Sequence, residues 1–204
     1  MPTNQLNVGV QNQPDGAQGI IARGGRQGET LVSELHGRYY EQTYRKNVFF
    51  VASQAVATTT VGLATTYTGL VLSNPIGSPV NLVLNKASIG QSVIETAVDT
   101  FGLAVGFNTS TNVTHTTPAT PQSSFIGSGL IPYAKADISA TLPTAPVYHS
   151  FLQSTSSATT DVTSGLVDYE GSLILSPGAY ALWVSPAASV AGMWFSFQWE
   201  EIPV

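Results

Sequence analysis

The sequence predicts an all-β protein, a jelly-roll-like β-sandwich with an extended N-terminal arm. Three observations lead to this prediction: apolar and polar residues alternate near the C-terminus, β-branched and aromatic residues dominate the middle of the chain, and turn-forming residues recur between these runs. Neither a βαβ alternation nor a repeat of about 20–50 residues is visible. We expect roughly eight to ten short strands, which favours an eight-stranded jelly roll over an immunoglobulin-like sandwich.

The C-terminal segment, residues 171–204, predicts three strands with two connections. The last strand shows the clearest pattern, in which Met193, Phe195, Phe197 and Trp199 alternate with Trp194, Ser196, Gln198 and Glu200. Such a period of two is typical of a strand with one buried and one wetter face. The turns are marked by Ser176-Pro177-Gly178 and Ser185-Pro186.

Two further expectations concern the faces of these strands. Trp183 should point to the sheet face opposite to the one that carries Tyr180, Leu182 and Val184, because alternate residues of a strand point in opposite directions. The pair Glu200 and Glu201 should meet solvent where the sheet ends, where acidic side chains discourage edge-to-edge pairing.

The rest of the chain divides into an arm, residues 1–46, and a body, residues 47–204. The arm is rich in Asn, Gln and Gly, and its last part, residues 31–46, is compatible with a strand or a short helix. In the body, the strands on either side of the turn-rich segment 74–79 are expected to be antiparallel neighbours. Residues 92–108 are expected to begin with a helical turn and to end as a strand.

The second half of the body is expected to contain two loops and further short strands. The first loop is residues 108–128, a polar segment rich in Thr and Pro, and the second is residues 156–165. Short strands are expected between them, over 136–146 and 147–155.

Composition limits the classes of function. Apolar residues make up 43% of the chain and charged residues only 9%, against about 25% in an average globular protein. This balance fits a protein whose surface is largely covered by neighbours, or a stable extracellular β-protein. Residues 47–204 carry two lysines against eight acids, a net charge of −6, so nucleic acid is not expected as a partner.

The sequence shows no targeting or membrane-spanning segment and no cysteine. Neither a signal peptide nor an apolar run long enough to span a bilayer is visible, so no membrane association is expected. The chain has no cysteine, which excludes disulfides and thiolate metal sites.

Candidate catalytic and metal-binding groups are sparse. Glu34 and His36 have a weak metal-ligand spacing, Glu95 and Asp99 could serve acid–base or calcium chemistry, and the set Asp161, Asp168 and Glu170 could bind calcium. For each of them a solvated surface position is the preferred interpretation. The hydrolase motif G-x-S-x-G and the common nucleotide-binding motifs are missing. We therefore expect a protein that is not an enzyme and that uses no cofactor or metal. The tryptophans Trp183, Trp194 and Trp199 are expected in the core rather than on a sugar-binding platform.

Two stretches carry a family resemblance. The segments GSLILSPGAYALWVS and WFSFQWEEIP at the C-terminus, and GRYYEQTYRKNVFFVASQA at residues 37–55, resemble jelly-roll virion proteins of tailed bacteriophages. The resemblance covers about residues 37–74 and 171–203, and its motifs are structural. It implies a capsid decoration or cement protein, a homotrimer seated on the outer surface of a phage head, with the major capsid protein as partner and synthesis in the host cytoplasm. It supplies no catalytic residues.

On this hypothesis the arm lies across capsid subunits, and its contacts are Arg23, Arg26, Arg38 and Arg45. The alternative is a receptor- or glycan-binding module of a tail fibre or spike. In that case the loops 108–128 and 153–165 form the contact surface, with His115, Thr116 and Thr117 as candidate contacts. A third hypothesis, a polysaccharide depolymerase on the same fold, has only the poor carboxylate pairs named above to support it.

Overall fold

The protein is described by a computed structural model, which covers residues 38–53, 63–93, 98–154, 164–186 and 192–204. Within these ranges the chain forms one short helix and eleven strands: α1 (Tyr40–Tyr44), β1 (Val48–Ala52), β2 (Thr66–Ser73), β3 (Val80–Gln91), β4 (Thr100–Phe107), β5 (Thr114–Ala119), β6 (Gln122–Ser123), β7 (Lys135–Thr141), β8 (Val147–Ser154), β9 (Ser164–Leu175), β10 (Ala179–Val184) and β11 (Met193–Pro203). The sandwich lies in a compact unit that extends over Glu41–Val204.

The strands form two antiparallel sheets that pack face to face. One has the order β6-β1-β11-β3-β9 and the other the order β5-β7-β2-β10-β4-β8. Early strands pair with late ones: β1 with β11, β2 with β10, β3 with β9 and β4 with β8. This order results when one long hairpin rolls up so that successive strand pairs alternate between two sheets, which is the jelly-roll arrangement. The predicted jelly-roll-like sandwich is therefore confirmed. The strands β5, β6 and β7, which follow β4 in the sequence, extend the two sheets beyond β1 and β2.

The main core lies between the sheets and confirms the pattern predicted for the last strand. Met193, Phe195, Phe197 and Trp199 are at most 1% exposed, whereas Trp194 on the other face is 41% exposed. Phe195 stacks on Trp183 of the opposite sheet with 5.3 Å between the ring centroids. Complete burial of an apolar side chain of this kind contributes about 1.5–3 kcal/mol to folding. The stability of the sandwich therefore depends on the aromatic contacts between β10 and β11, which lie in opposite sheets.

A second apolar cluster covers the outer face of the six-stranded sheet. Tyr180, Leu182 and Val184 belong to this cluster, while Trp183 belongs to the main core, so the predicted opposite orientation is confirmed. The cluster is completed by residues from neighbouring segments, among them Val113 and Leu142. As a result all six residues of β10 are buried.

The prediction that the strands flanking residues 74–79 are neighbours is wrong. β2 pairs with β7 and β10 in one sheet, whereas β3 pairs with β9 and β11 in the other. The Asn74 side-chain amide donates hydrogen bonds to the carbonyls of Val80 (2.8 Å) and Leu175 (3.0 Å) and so stabilises the crossing between sheets. Turn-forming residues mark a reversal of the chain but do not tell whether the next strand pairs with the last one or crosses the sandwich.

The prediction that residues 108–128 form a loop is also wrong in part, because this segment contains β5 and β6. Five of the six residues of β5 are exposed, so the strand lacks the apolar alternation by which strands are recognised. Pro118 is compatible with it because β5 is the outermost strand of its sheet in the described part of the chain, and an edge strand tolerates a residue without an N–H group.

Other predictions for the strands and the N-terminal region have mixed outcomes. The strands predicted within 136–146 and 147–155 are present as β7 and β8, and α1 forms where a strand or a short helix was expected. The helical turn expected near residue 94 and most of the loop at 156–165 lie outside the described residues, and the division at residue 46 stays a prediction. No described helix is long and apolar enough to cross a membrane.

Candidate functional site

The loop that connects β6 to β7 exposes an unusual number of large apolar side chains. Ile126 and Ile131 are 74% and 83% exposed. We call the following set the loop surface: Tyr44, Phe125, Ile126, Leu130, Ile131 and Tyr133. Gly127 and Gly129 have positive φ angles, 85° and 70°, which allow the tight turns of this loop. Tyr44 of α1 joins the surface because its ring stacks on Phe125 with 6.5 Å between the centroids.

A buried carboxylate holds the end of this loop. Glu201, which is only 7% exposed, accepts hydrogen bonds from the backbone N–H groups of Tyr133 (3.1 Å) and Ala134 (3.0 Å). The indole N–H of Trp199 approaches the same carboxylate at 3.4 Å. The prediction that Glu201 meets solvent is therefore wrong, because these three donors replace the water that a charged group otherwise needs. Its neighbour Glu200 is half-buried, and burial raises the pKa of its carboxyl group.

Positively charged side chains surround the loop surface. The Lys46 ammonium lies 5.9 Å from the centroid of the Phe125 ring, a distance compatible with a cation–π interaction. Arg45 follows Tyr44 directly and is paired with Glu41 at 3.8 Å. Lys135 lines the same groove as Leu130 and Ile131. Three of the five Lys and Arg residues in the described ranges thus lie beside this surface.

A groove of about 460 Å³ runs between the loop surface and β5. Its lining is mostly apolar, with Pro118, Pro121, Leu130 and Ile131 among its walls, and His115 stands at its rim. A second, smaller hollow of about 270 Å³ lies on the other side of the same histidine.

His115 is held by a buried acid. Its Nδ1 lies 2.5 Å from Oδ2 of Asp137, whose side chain is fully buried. The other oxygen of Asp137, Oδ1, has no hydrogen-bond partner among the described residues. A carboxylate in this position orients the imidazole, as in catalytic dyads. However, Ser73, the hydroxyl residue that lines the smaller hollow with His115, donates its hydrogen bond to the Lys135 carbonyl at 3.3 Å. The pair therefore fastens β5 to β7, and Thr116 and Thr117 next to it are exposed.

The opposite end of the sandwich carries a second exposed apolar surface. There β8 and β9 are the outermost strands of the two sheets in the described part of the chain. The exposed large apolar side chains at this end include Phe107, Val147, Phe151, Leu166 and Ile174. Three of these, Phe107, Val147 and Ile174, line one groove of about 420 Å³, and we call these three the edge surface. Val147 and Ile174 are 61% and 57% exposed.

The charge beside the edge surface is mainly negative. Asp168 and Glu170 are both exposed on β9, and Lys86, half-buried on the neighbouring strand, stands opposite Asp168. Tyr169 of β9 is buried, and its hydroxyl lies 3.3 Å from the hydroxyl of Ser150 on β8. Burial raises the pKa of Tyr169, against a smaller opposite effect of the Ser150 hydrogen bond.

The predicted contact residues have different outcomes in the structure. Arg38 stacks over the Tyr39 ring at 5.4 Å and Arg45 lies beside the loop surface, while Arg23 and Arg26 lie outside the described residues. His115, Thr116 and Thr117 lie on β5 rather than in a loop.

The candidate carboxylate sets do not form sites in the described part of the chain. Asp99 is buried and accepts hydrogen bonds from the Thr100 N–H and the Ser185 hydroxyl. Burial raises the pKa of Tyr148, and the negative charge of Asp99 raises this pKa further. Asp168 accepts a hydrogen bond from the N–H of Glu170. Glu34, His36, Glu95 and Asp161 lie outside the described residues, and within these residues no group of three His, Asp or Glu side chains could hold a metal ion.

Sequence reasoning missed the loop surface itself. Its signal was the stretch FIGSGLIPY at 125–133, in which large apolar residues stand between glycines and a proline without strand alternation. Large apolar residues in a segment that cannot form a buried strand indicate an exposed apolar surface.

Comparisons with known proteins identified no similar protein. Neither the scan against protein-family models nor the searches of curated proteins and of solved structures gave a match.

Proposed function

We propose that this chain is a non-enzymatic structural protein of a virion, a decoration or cement protein that self-associates and stabilises the outer surface of a phage head. The observation that carries the proposal is the pair of exposed apolar surfaces, the loop surface and the edge surface, at opposite ends of the sheets. Monomeric soluble proteins rarely expose large apolar patches, and such patches mark interaction sites. A charged fraction of only 9% agrees with a surface that neighbours cover.

The proposal assigns different tasks to the two parts of the chain. The sandwich makes the contacts between copies, and we expect three copies in each assembly. The arm binds the major capsid protein, with Arg23, Arg26, Arg38 and Arg45 as its contacts to acidic side chains or carbonyl oxygens. Nucleic acid and membrane are not partners in this proposal.

Binding to phage heads that lack this protein tests the proposal. Full-length protein should sediment with such heads and raise their resistance to heat, and light scattering should show a defined oligomer in solution. Replacement of Arg23, Arg26 and Arg38 by alanine, with Arg45 kept because it lies beside the loop surface, should abolish sedimentation and leave the oligomer intact. The control is Val204→Ala, an exposed side chain beyond the last strand that belongs to neither named surface. A full-length chain that neither sediments with heads nor stabilises them would contradict the proposal.

A receptor- or glycan-binding module of a tail fibre is the second candidate, and the groove beside His115 favours it. This groove is open to solvent, and the exposed Thr116 and Thr117 lie on the same strand. Binding to a glycan array that is lost in the His115→Ala variant and kept in Lys86→Ala would support this function over the first.

A further inference from the structure

We propose that copies of this chain associate head to tail, with the loop surface of one copy bound to the edge surface of the next. This inference deepens the proposed function, on whose self-association it rests. It identifies the partner of both exposed apolar surfaces as a second copy of the same chain.

The positions of the two surfaces fit such a contact. The loop surface lies beside β5, β6 and β7 at one end of both sheets, and the edge surface lies along β8 and β9 at the other end. Each end has a groove, about 460 Å³ beside the loop and about 420 Å³ beside the edge, in which apolar side chains of a partner can be buried. A contact between different surfaces leaves one of each open on the assembled pair, so that further copies add, to a ring if the rotation between copies closes and to a filament if it does not.

Charge favours the pairing of unlike surfaces. Arg45, Lys46 and Lys135 are exposed beside the loop surface, with Glu41 as the exposed acid there. Beside the edge surface the exposed charges are Asp168 and Glu170, with Lys86 half-buried among them. Two loop surfaces would bring the lysines of both copies together, and two edge surfaces would bring the acids together. Only the unlike pair sets opposite charges against each other, which favours the correct register over wrong ones.

The sheet edges give an independent indication that β8 is covered. Exposed edge strands are usually protected by charge, by proline or by shortness. β5 contains Pro118, β6 has only two residues, and β9 carries Asp168 and Glu170. β8, with the sequence VYHSFLQS, contains no Asp, Glu, Lys, Arg or Pro. An edge without such protection is suited to a partner that covers it.

Two single substitutions in the full-length chain test the inference. Ile131→Asp places a charge on the loop surface, and Val147→Asp places one on the edge surface; both positions are largely exposed, so the fold should tolerate the change. Burial of an unpaired carboxylate in an apolar contact is costly, so each variant alone should be monomeric. Val204→Asp, beyond the last strand, is the matched control and should associate as the unmodified chain does.

The mixture of the two variants is the decisive sample. Ile131→Asp keeps an intact edge surface and Val147→Asp keeps an intact loop surface, so together they should form one contact. Light scattering over a concentration series should then show a 1:1 complex at twice the monomer mass of 21.4 kDa. Circular dichroism and thermal melting of each variant establish that it is folded.

Three results would overturn the inference: an unmodified chain that stays monomeric, a folded single variant that associates as the unmodified chain does, or a mixture of folded variants that stays monomeric. An interface between like surfaces would give the second or third result, because one variant would keep an intact self-contact and the mixture would form no 1:1 complex. A monomeric unmodified chain would also contradict the self-association in the proposed function, whereas the other two results would contradict the head-to-tail contact alone. Sedimentation with phage heads is measured separately from all three, so the failure of this contact and the failure of capsid binding can be told apart.

Discussion

The carboxylate of Glu201 accepts a hydrogen bond from the backbone N–H of Ala134 at 3.0 Å, across a sequence separation of 67 residues. The same carboxylate accepts from the N–H of Tyr133 at 3.1 Å. These bonds fasten the last strand to the start of β7, so the end of the chain fixes one end of the loop surface. The exposed side chains of that loop are consequently presented on a rigid base, which lowers the entropy lost when a partner binds them.

Removal of this anchor should loosen the loop surface. Glu201→Ala leaves one buried N–H group, that of Ala134, and one partly buried N–H group, that of Tyr133, without their acceptor. We expect the free energy of unfolding to fall by about 1.5–3 kcal/mol. Amide hydrogen exchange at residues 133 and 134 should accelerate in parallel. Glu201→Gln is the matched control, since its carbonyl oxygen still accepts one hydrogen bond, and it should lose less. Equal stability and equal exchange in the alanine variant would contradict this account.

The sequence alone predicted the elements whose signal is local. The alternation of Met193, Phe195, Phe197 and Trp199 identifies both the strand and its buried face, because one face of a strand must exclude water. The crossing after β2 could not be predicted in this way. It depends on Asn74, which binds carbonyls from two distant strands, and a hydrogen bond to a distant segment leaves no periodic pattern in the sequence.

The aromatic contact between the two sheets should dominate stability. Phe195 packs on Trp183 at 5.3 Å and on Phe101 at 6.2 Å between ring centroids, and it is 1% exposed. Phe195→Ala should lower the free energy of unfolding by about 3–5 kcal/mol, since it leaves a cavity in addition to removing apolar contact. Chemical denaturation measures the loss. Trp194→Ala, at the exposed neighbour, should change the free energy of unfolding by less than about 1 kcal/mol. A loss as large as that of Phe195→Ala would contradict the description of β11 as a strand with one buried and one exposed face.

The candidate site was harder to predict than the core. His115, Thr116 and Thr117 were selected as loop residues, and they lie on an edge strand because β5 is held to its neighbour by backbone pairing and by one buried acid. Asp137 lies 22 residues away from His115 in the sequence, and nothing in the local pattern of either residue indicates the other. The loop surface had a local signal, yet its neighbours Lys46 and Lys135 are brought to it only by the fold.

The pair of His115 and Asp137 should contribute to stability as a unit. His115→Ala leaves the fully buried Asp137 carboxylate without its imidazole partner, and we expect a loss of about 3 kcal/mol, the lower end of the range for breaking a buried pair, because His115 is partly exposed. The double variant His115→Ala/Asp137→Ala should lose less than the sum of the single variants.

Thr116→Ala is the control for this pair, since the exposed hydroxyl lies on the same strand, and it should stay within about 0.5 kcal/mol of the unmodified protein. Strictly additive losses in the double variant would show that the two side chains do not depend on each other.

The half-buried Glu200 should make stability depend on pH in the opposite sense from a paired carboxylate. Burial raises its pKa in the folded state, so between its ordinary pKa and the raised one the folded protein binds more protons than the unfolded chain does. Its contribution to stability is then fully present at low pH and is lost as the pH rises through the folded-state pKa. Glu200→Gln removes the charge, so it should raise the melting temperature at neutral pH, and the gain should shrink as the pH falls from about 7 to about 3. Glu41→Gln, at an exposed glutamate, controls for the loss of one negative charge from an acidic chain. A gain that grows toward low pH would contradict the assignment of burial as the cause.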